Sequence, residues 1–102
     1  GDSGHATTPT LGQGGCQAIE DAEVLTRYLI TTNISVADAL QRYEAERKDR
    51  TASLVLKARK RTDTIYGKDL DLTNAWYAQL KQEDPAAVTG ALAKVILGGP
   101  MR

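Results

Sequence analysis

Apolar residues recur along this chain at helical spacing. Ala18, Ala22, Leu25 and Leu29 are separated by four, three and four positions and so share one helical face. Glu20, Asp21 and Glu23 occupy the early turns of that helix, where carboxylates favour the positive end of the helix dipole. Thr31-Thr32-Asn33 is expected to end it. Ser35 reads as the N-cap of a second helix, with Asp38 completing a capping-box pattern and Ile34 placed to staple onto Ala39. Val36, Leu40 and Tyr43 begin its apolar stripe. Nothing breaks the pattern at Arg47-Lys48-Asp49-Arg50, and Ala52, Val55, Leu56 and Arg59 carry it on to Tyr66, with Gly67 as the stop. Leu72, Ala75, Trp76 and Leu80 mark a third helix. Asp84-Pro85 supplies a cap and a proline at the first helical position of a fourth. Val88, Ala91, Leu92, Val95 and Ile96 form its stripe, and Gly98-Gly99-Pro100 stops it. No segment alternates as a strand and no internal repeat is visible. The pattern predicts a mostly α fold, an N-terminal loop followed by about four helices.

The second helix is long for the chain that contains it. Residues 36–66 span ~45 Å at ~1.5 Å per residue, whereas a compact domain of this length is roughly 35 Å across. Either the helix bends near Arg47–Arg50 or it overhangs. With the missing initial methionine and the abrupt glycine-rich start, this favours a chain that is the C-terminal part of something larger.

Composition narrows the chemistry only a little. Among 102 residues, 13 Lys and Arg balance 13 Asp and Glu, so net charge suggests no polyanionic partner. The single cysteine, Cys16, allows no internal disulfide, which fits a reducing, cytoplasmic setting. No apolar run approaches the ~20 residues of a membrane span, and no signal peptide is visible. Phe is absent, so the core is expected to be mostly Ala, Leu, Val and Ile.

The chemistry concentrates in residues 1–15, which read as a loop. Five of these fifteen residues are glycine, and the loop runs directly into the first helix. Glycine lets backbone N–H groups approach a ligand closely. The helix start behind it adds unpaired N–H groups and about half a positive charge, together favouring an anionic or electron-rich ligand edge. Asp2 offers a carboxylate suited to sugar or polyol hydroxyls. On composition alone, a glycine-rich linker before a capped helix explains the same stretch equally well.

The full spelling discriminates between these readings. Gly1-Asp2, His5, Pro9, Gly12-Gln13-Gly14 and Glu20-Asp21-Ala22 resemble, at fixed spacing, the second flavin-binding motif of the single-component FAD-dependent aromatic hydroxylases, the class A flavoprotein monooxygenases. That resemblance implies the C-terminal fragment of an α/β FAD-binding (GR2-like Rossmann) fold. Residues 1–31 would be its flavin-binding loop and helix, and residues 32–102 a C-terminal helical region of the same domain. It further implies that Asp2 holds a ribityl hydroxyl and that Pro9 lies beside the isoalloxazine ring. The backbone of Gly12, Gln13, Gly14 and Gly15 would face the pyrimidine edge, with the helix start aimed at N1 and the C2 carbonyl. In this family NADH or NADPH reduces FAD, and the reduced flavin uses O2 to hydroxylate a small aromatic substrate. Ser3-Gly4 departs from the family's usual small alanines, and Lys48-Asp49 stands between Arg47 and Arg50 where many relatives have proline, leaving the helix less obliged to kink.

A narrower resemblance runs through Leu54-Val55-Leu56-Lys57-Ala58-Arg59-Lys60-Arg61, Gly67-Lys68-Asp69, Trp76-Tyr77 and Ile96-Leu97-Gly98-Gly99-Pro100, joined by Thr7-Thr8-Pro9 and Gly14-Gly15-Cys16. These segments look like the tail of the bacterial FAD-dependent urate hydroxylases, which convert urate to 5-hydroxyisourate. The missing N-terminal FAD and substrate domains are then the chain's partners. With no dinucleotide fingerprint of its own, the chain alone is expected neither to hold FAD tightly nor to turn over. No catalytic residue and no metal ligand set is expected within it.

The remaining chemical side chains read more quietly. His5 is expected to organise the loop backbone, and Cys16 to pack as a small residue near the flavin. Glu20 and Asp21 are expected to pair with arginines such as Arg47 or Arg50. Eight of the thirteen basic residues lie between Arg42 and Arg61 against three acids. They raise the alternative of a small helical interaction or nucleic-acid-binding module. That module lacks a helix-turn-helix turn, zinc spacing or a stacking surface. Apolar helix faces left by the missing domain leave self-association open.

Overall fold

The caps foreseen in the sequence are the caps that form. In the computed structural model, which describes residues 1–100, the Ser35 hydroxyl accepts from the Asp38 N–H at 3.0 Å. The same hydroxyl donates to the Asp38 carboxylate at 2.8 Å, so Asp38 answers the side chain of the cap rather than its backbone. Asp84 accepts from the Ala86 N–H at 3.1 Å, with Pro85 at the first helical position. Asp69, which the apolar pattern did not single out as a cap, accepts from Asp71 and Leu72.

The helices are α2 (Gly14–Leu29), α3 (Val36–Ile65), α4 (Leu70–Leu80) and α5 (Pro85–Leu97), the last three begun by these caps, with no strand among the described residues. The opening stretch is more ordered than a loop. It contains a single helical turn, α1 (Asp2–His5), and a 3-10 turn over Pro9–Leu11. Their short bonds, Gly4 N–H to Gly1 carbonyl and Gly12 N–H to Pro9 carbonyl, are too local for hydrophobic periodicity to reveal.

α3 is the spine. It runs as one 30-residue helix through Arg47–Arg50, so the structure overhangs rather than bends. The chain is 55 Å long with a radius of gyration of 17.0 Å, against ~13 Å for a compact domain of this size. α1, the 3-10 turn, α2 and α4 all lie against α3. α5 is tied in by the Arg50 guanidinium, which donates to the Val95 carbonyl at 3.2 Å.

The core departs from the aliphatic expectation. Val24, Ala39, Leu54 and Ala58 are buried as that composition implies, but Gln17, Glu20, Asp21, Arg47, Thr51 and Thr73 are buried with them. On α2 the inward face carries Gln17, Glu20, Asp21 and Val24, while Ala18, Ala22 and Leu29 of the expected face are exposed. On α3 the inward face likewise shifts to Ala39, Arg47, Thr51, Leu54 and Ala58, leaving Val36, Leu40 and Leu56 in solvent. The contact between the two helices is made by ions, so the apolar stripe marks a different, uncovered face. The same holds for Leu72 on α4 and for Val88, Leu92 and Ile96 on α5, all exposed. Trp76 does join helices: the Arg61 guanidinium of α3 lies 5.2 Å from its ring centroid.

Gly67 ends α3 with φ +70°, and a Cβ there would stand 3.4 Å from Leu70 Cδ2. Gly67→Ala is therefore expected to cost about 1 kcal/mol, because an L side chain is strained in the left-handed region. The urea unfolding midpoint of the variant measures it.

Candidate functional site

The glycine-rich opening is held by a buried charge network whose centre is Arg47. Its Nε donates to Asp21 Oδ1 at 2.9 Å, its Nη1 to Glu20 Oε2 at 2.6 Å and its Nη2 to Gln17 Oε1 at 2.6 Å. One α3 side chain thus grips three positions on consecutive turns of α2, the i, i+3, i+4 set that one helical face presents. Arg50, one turn further along α3, closes a two-pronged contact with Glu20 at 2.7 Å on each prong. The expected pairing of Glu20 and Asp21 with Arg47 and Arg50 is what the structure contains.

Asp21 connects this network to the opening stretch. Its Oδ1 faces Arg47, while its Oδ2 hydrogen-bonds His5 Nε2 at 2.5 Å. His5 thereby organises α1, as its isolation in the sequence suggested. Burial raises the Asp21 carboxyl, but its hydrogen bonds, those from Arg47 and His5 among them, outweigh it and hold the group below the usual carboxylate range. Burial acts the same way on Glu20, and the hydrogen bonds from Arg50 and Arg47 bring it below the usual carboxylate range. Both acids are therefore ionised anchors and not proton carriers. Arg47 and Arg50 are committed to them, which removes two of the eight basic side chains from any phosphate-reading face.

Above this support lies a shallow cleft of about 580 Å³. Asp2, Pro9, Gly12, Gly14 and Gly15 line it together with Thr7, Thr8 and Ala18. Five of the six candidate cofactor-contacting residues thus meet in one cleft. The sixth, Gln13, lies inward as the N-cap of α2 and lines a small internal gap with His5 and Gln17. Gly12 adopts φ +64°, which its missing Cβ permits, and a Cβ on Gly12 or Gly15 would meet no neighbour within 4 Å. No side chain caps the start of α2. Its first helical bond is donated by Gln17 to Gln13, so the N–H groups of Gly14 to Cys16 have no intrahelical acceptor. The cleft presents a carboxylate at one side and free peptide donors at the other. Cys16 is exposed two residues into α2.

Two features escaped the sequence reading. One is Gln17, whose side chain and carbonyl both accept from Arg47 and whose neutral identity carries no pairing signal. The other is a second α2–α3 tie at the far end, where Arg27 and Tyr28 both donate to Glu46, at 2.9 and 2.7 Å. The pairing of Arg27 with Glu46 is legible only once α2 and α3 are known to pack together.

No family model matches the chain. It is 50% identical to an FAD-dependent urate hydroxylase of Klebsiella pneumoniae subsp. pneumoniae over 101 residues, 99% of this chain and 26% of that protein. It is 43% identical over 101 residues to an FAD-dependent urate hydroxylase of Mycolicibacterium vanbaalenii, again covering 26% of the relative. An aurachin C monooxygenase/isomerase of Stigmatella aurantiaca matches at 49% identity over 55 residues, 54% of this chain and 14% of the relative. Among solved structures, Klebsiella pneumoniae HpxO complexed with FAD and uric acid superimposes with a TM-score of 0.92 at 49% identity, over 100% of this chain and 26% of that one. The chain spans about a quarter of the length of the relatives it matches.

Removing Arg47 takes one partner from each of two buried carboxylates, leaving Glu20 with Arg50 and Asp21 with His5. Arg47→Met is expected to destabilise the fold by about 3–5 kcal/mol, the range for breaking a buried pair from one side. Chemical denaturation followed by far-UV circular dichroism checks it.

The network also dictates an acid dependence. Asp21 titrates below its ordinary 3.8 when folded, so its contribution is complete above 3.8 and is lost as pH falls below that value. Unfolding midpoints are expected to fall through that window, and Asp21→Asn to flatten the fall while lowering stability at neutral pH.

Proposed function

We propose, from the homology of this chain to FAD-dependent urate hydroxylases and other FAD-dependent monooxygenases, that it is the C-terminal FAD-binding portion of an NAD(P)H-dependent flavoprotein monooxygenase. Residues 1–31 are then the flavin-binding loop and helix, and residues 32–102 the helical region that braces them. In the intact enzyme the substrate is urate, hydroxylated to 5-hydroxyisourate, or a similar heteroaromatic ring.

The observation that carries this reading is the cleft that gathers Asp2, Pro9, Gly12, Gly14 and Gly15 at the uncapped start of α2. Its residues fit the isoalloxazine and ribityl portion of FAD. The space above Gly12 and Gly15 admits a flat ring against bare backbone. The Asp2 carboxylate, exposed at the cleft's edge, accepts hydrogen bonds from polyol hydroxyls. Bound FAD supplies the electron transfer and oxygen chemistry, for which proteins contribute orientation and electrostatics. The chain's own contribution is a set of peptide donors fixed before the ligand arrives. The positive end of α2 favours negative charge at the ring edge it faces. Glu20, Asp21, Arg47 and Arg50 remain behind that surface as its support and touch no ligand.

The alternative of a small helical nucleic-acid-binding module finds no support among the relatives. It also gives no reason for Asp2, Pro9 and the glycines to converge on one cleft. The exposed apolar faces of α4 and α5 fit a segment that packs against further protein, namely the domains that hold the adenosine half of FAD and the substrate.

In the holoenzyme, Asp2→Ala is expected to raise the FAD dissociation constant about tenfold, the effect of one or two lost hydrogen bonds, with the circular dichroism spectrum unchanged. Titration of apoprotein with FAD, followed by flavin fluorescence, measures it. Parent-like affinity in that variant overturns the assignment of the cleft. The chain by itself is expected to bind FAD no tighter than the micromolar range, and sub-micromolar affinity would show that it carries more of the site than proposed here.

A further inference from the structure

Pro9 stands between two threonines whose hydroxyls are both tied to α3. The Thr10 hydroxyl donates to the Ala58 carbonyl at 2.9 Å and lies 3.0 Å from the Thr62 hydroxyl. Thr62 donates to the Thr8 hydroxyl at 2.9 Å, and Thr8 and Thr10 lie 3.2 Å apart. Each hydroxyl carries one proton. The Thr62 hydroxyl also lies 2.9 Å from the Ala58 carbonyl, one turn back on its own helix. All three protons are placed if Thr62 donates to Thr8, Thr8 to Thr10 and Thr10 to the Ala58 carbonyl, and equally if Thr8 donates to Thr10, Thr10 to Thr62 and Thr62 to that carbonyl. In either arrangement the hydroxyls join the turn to α3.

Among the described residues, these hydroxyls make all the hydrogen bonds between the 3-10 turn and α3. The turn's remaining backbone bond, Gly12 N–H to Pro9 carbonyl, is internal to it. Leu11 adds apolar contact beside Leu54 and Ala58, but apolar contact permits sliding along the helix. The hydroxyl ring fixes the register. Thr8 also lines the cleft itself, next to Pro9 and Gly12. Glycine at positions 12, 14 and 15 leaves the following backbone intrinsically free, so its position depends on what holds the turn before it.

We propose that Thr62, acting through Thr8 and Thr10, is a positioning residue for the flavin ring: the hydroxyl ring sets where Pro9 and the Gly12 backbone stand in the cleft. This rests on the flavin reading above and adds residues outside its contact surface. Thr62 does not itself line the cleft, so its effect on a bound ligand passes through Thr8 and the turn.

The test uses the holoenzyme with Thr62→Val, which keeps the branched shape and removes the hydroxyl, beside Thr62→Ser, which restores it. Thr10→Val serves as the second removal should Thr62→Val fold poorly. FAD affinity, the absorption spectrum of bound flavin and amide hydrogen exchange at Leu11 and Gly12 are read together. The expected result is that Thr62→Val weakens FAD about tenfold, the scale of a lost hydrogen bond with its geometry. It also shifts the flavin absorption bands and speeds exchange at Leu11 and Gly12, while Thr62→Ser returns all three to parent values. Parent-like FAD affinity and spectrum in Thr62→Val overturn the proposal, as does a Thr62→Ser variant as impaired as Thr62→Val. The flavin reading fails separately, through Asp2→Ala, so a parent-like Thr62→Val beside an impaired Asp2→Ala sinks this inference alone.

Discussion

The structure depends on one buried guanidinium. Arg47 reaches from the middle of α3 to three residues of α2, and every charge it meets is itself shielded from water. Buried ion pairs are weak evidence for net stability, because desolvation offsets most of their attraction. Their stronger consequence is geometric. An apolar contact between two helices tolerates small slides, whereas a fork of fixed donors meeting Asp21, Glu20 and Gln17 is satisfied at one register only. A slide by one residue would leave at least one buried carboxylate unpaired. The α2–α3 register is therefore set by charge, and the second tie of Arg27 and Tyr28 to Glu46 holds the same register at the other end of α2.

This explains why the sequence was legible in outline and misleading in detail. Helix number and most boundaries follow from local chemistry: Ser35 with Asp38, Asp84 with Pro85, and Gly67 at a left-handed stop. These signals act within a few residues and survive any tertiary context. The burial pattern does not. Hydrophobic periodicity assumes that the inward face is the apolar one, and on α2 that face carries Glu20 and Asp21. Their partners lie 26 to 30 residues away, beyond anything periodicity measures. The pairing itself was still readable, because two adjacent acids early in one helix and two arginines midway along the next are costly to bury alone. Gln17 and Glu46 gave no comparable signal, and the short turns of α1 and Pro9–Leu11 were hidden among glycines.

The candidate cleft was legible for a different reason. Asp2, Pro9, Gly12, Gly14 and Gly15 lie close in sequence, so bringing them together needs only local turns, not long-range folding. What the sequence could not show is how such a glycine-rich stretch is kept in place. Backbone freedom suits close approach to a ligand, but it has an entropic cost of about 1–2 kcal/mol per residue when a ligand fixes it. A loop ordered only on binding would lose affinity accordingly.

The structure answers that cost with two clasps on one helix. At its start, the loop is fixed through His5 to Asp21, and through Asp21 to Arg47. In its middle, the Thr8 and Thr10 hydroxyls are fixed to Thr62 and Ala58. Arg47 and Thr62 are 15 residues apart on α3, about 22 Å along a rigid rod. The long, overhanging spine thus has a use that a compact bundle would not provide. It spans the loop and holds both clasps at a fixed separation. An ionic clasp at the buried end and a hydroxyl clasp at the half-exposed end also suit their surroundings: charges survive burial only when paired, and neutral hydroxyls tolerate partial solvent without screening. The peptide donors at the start of α2 are in this way oriented before any ligand reaches the cleft, which is the condition for a helix terminus to act on developing charge rather than merely to follow it.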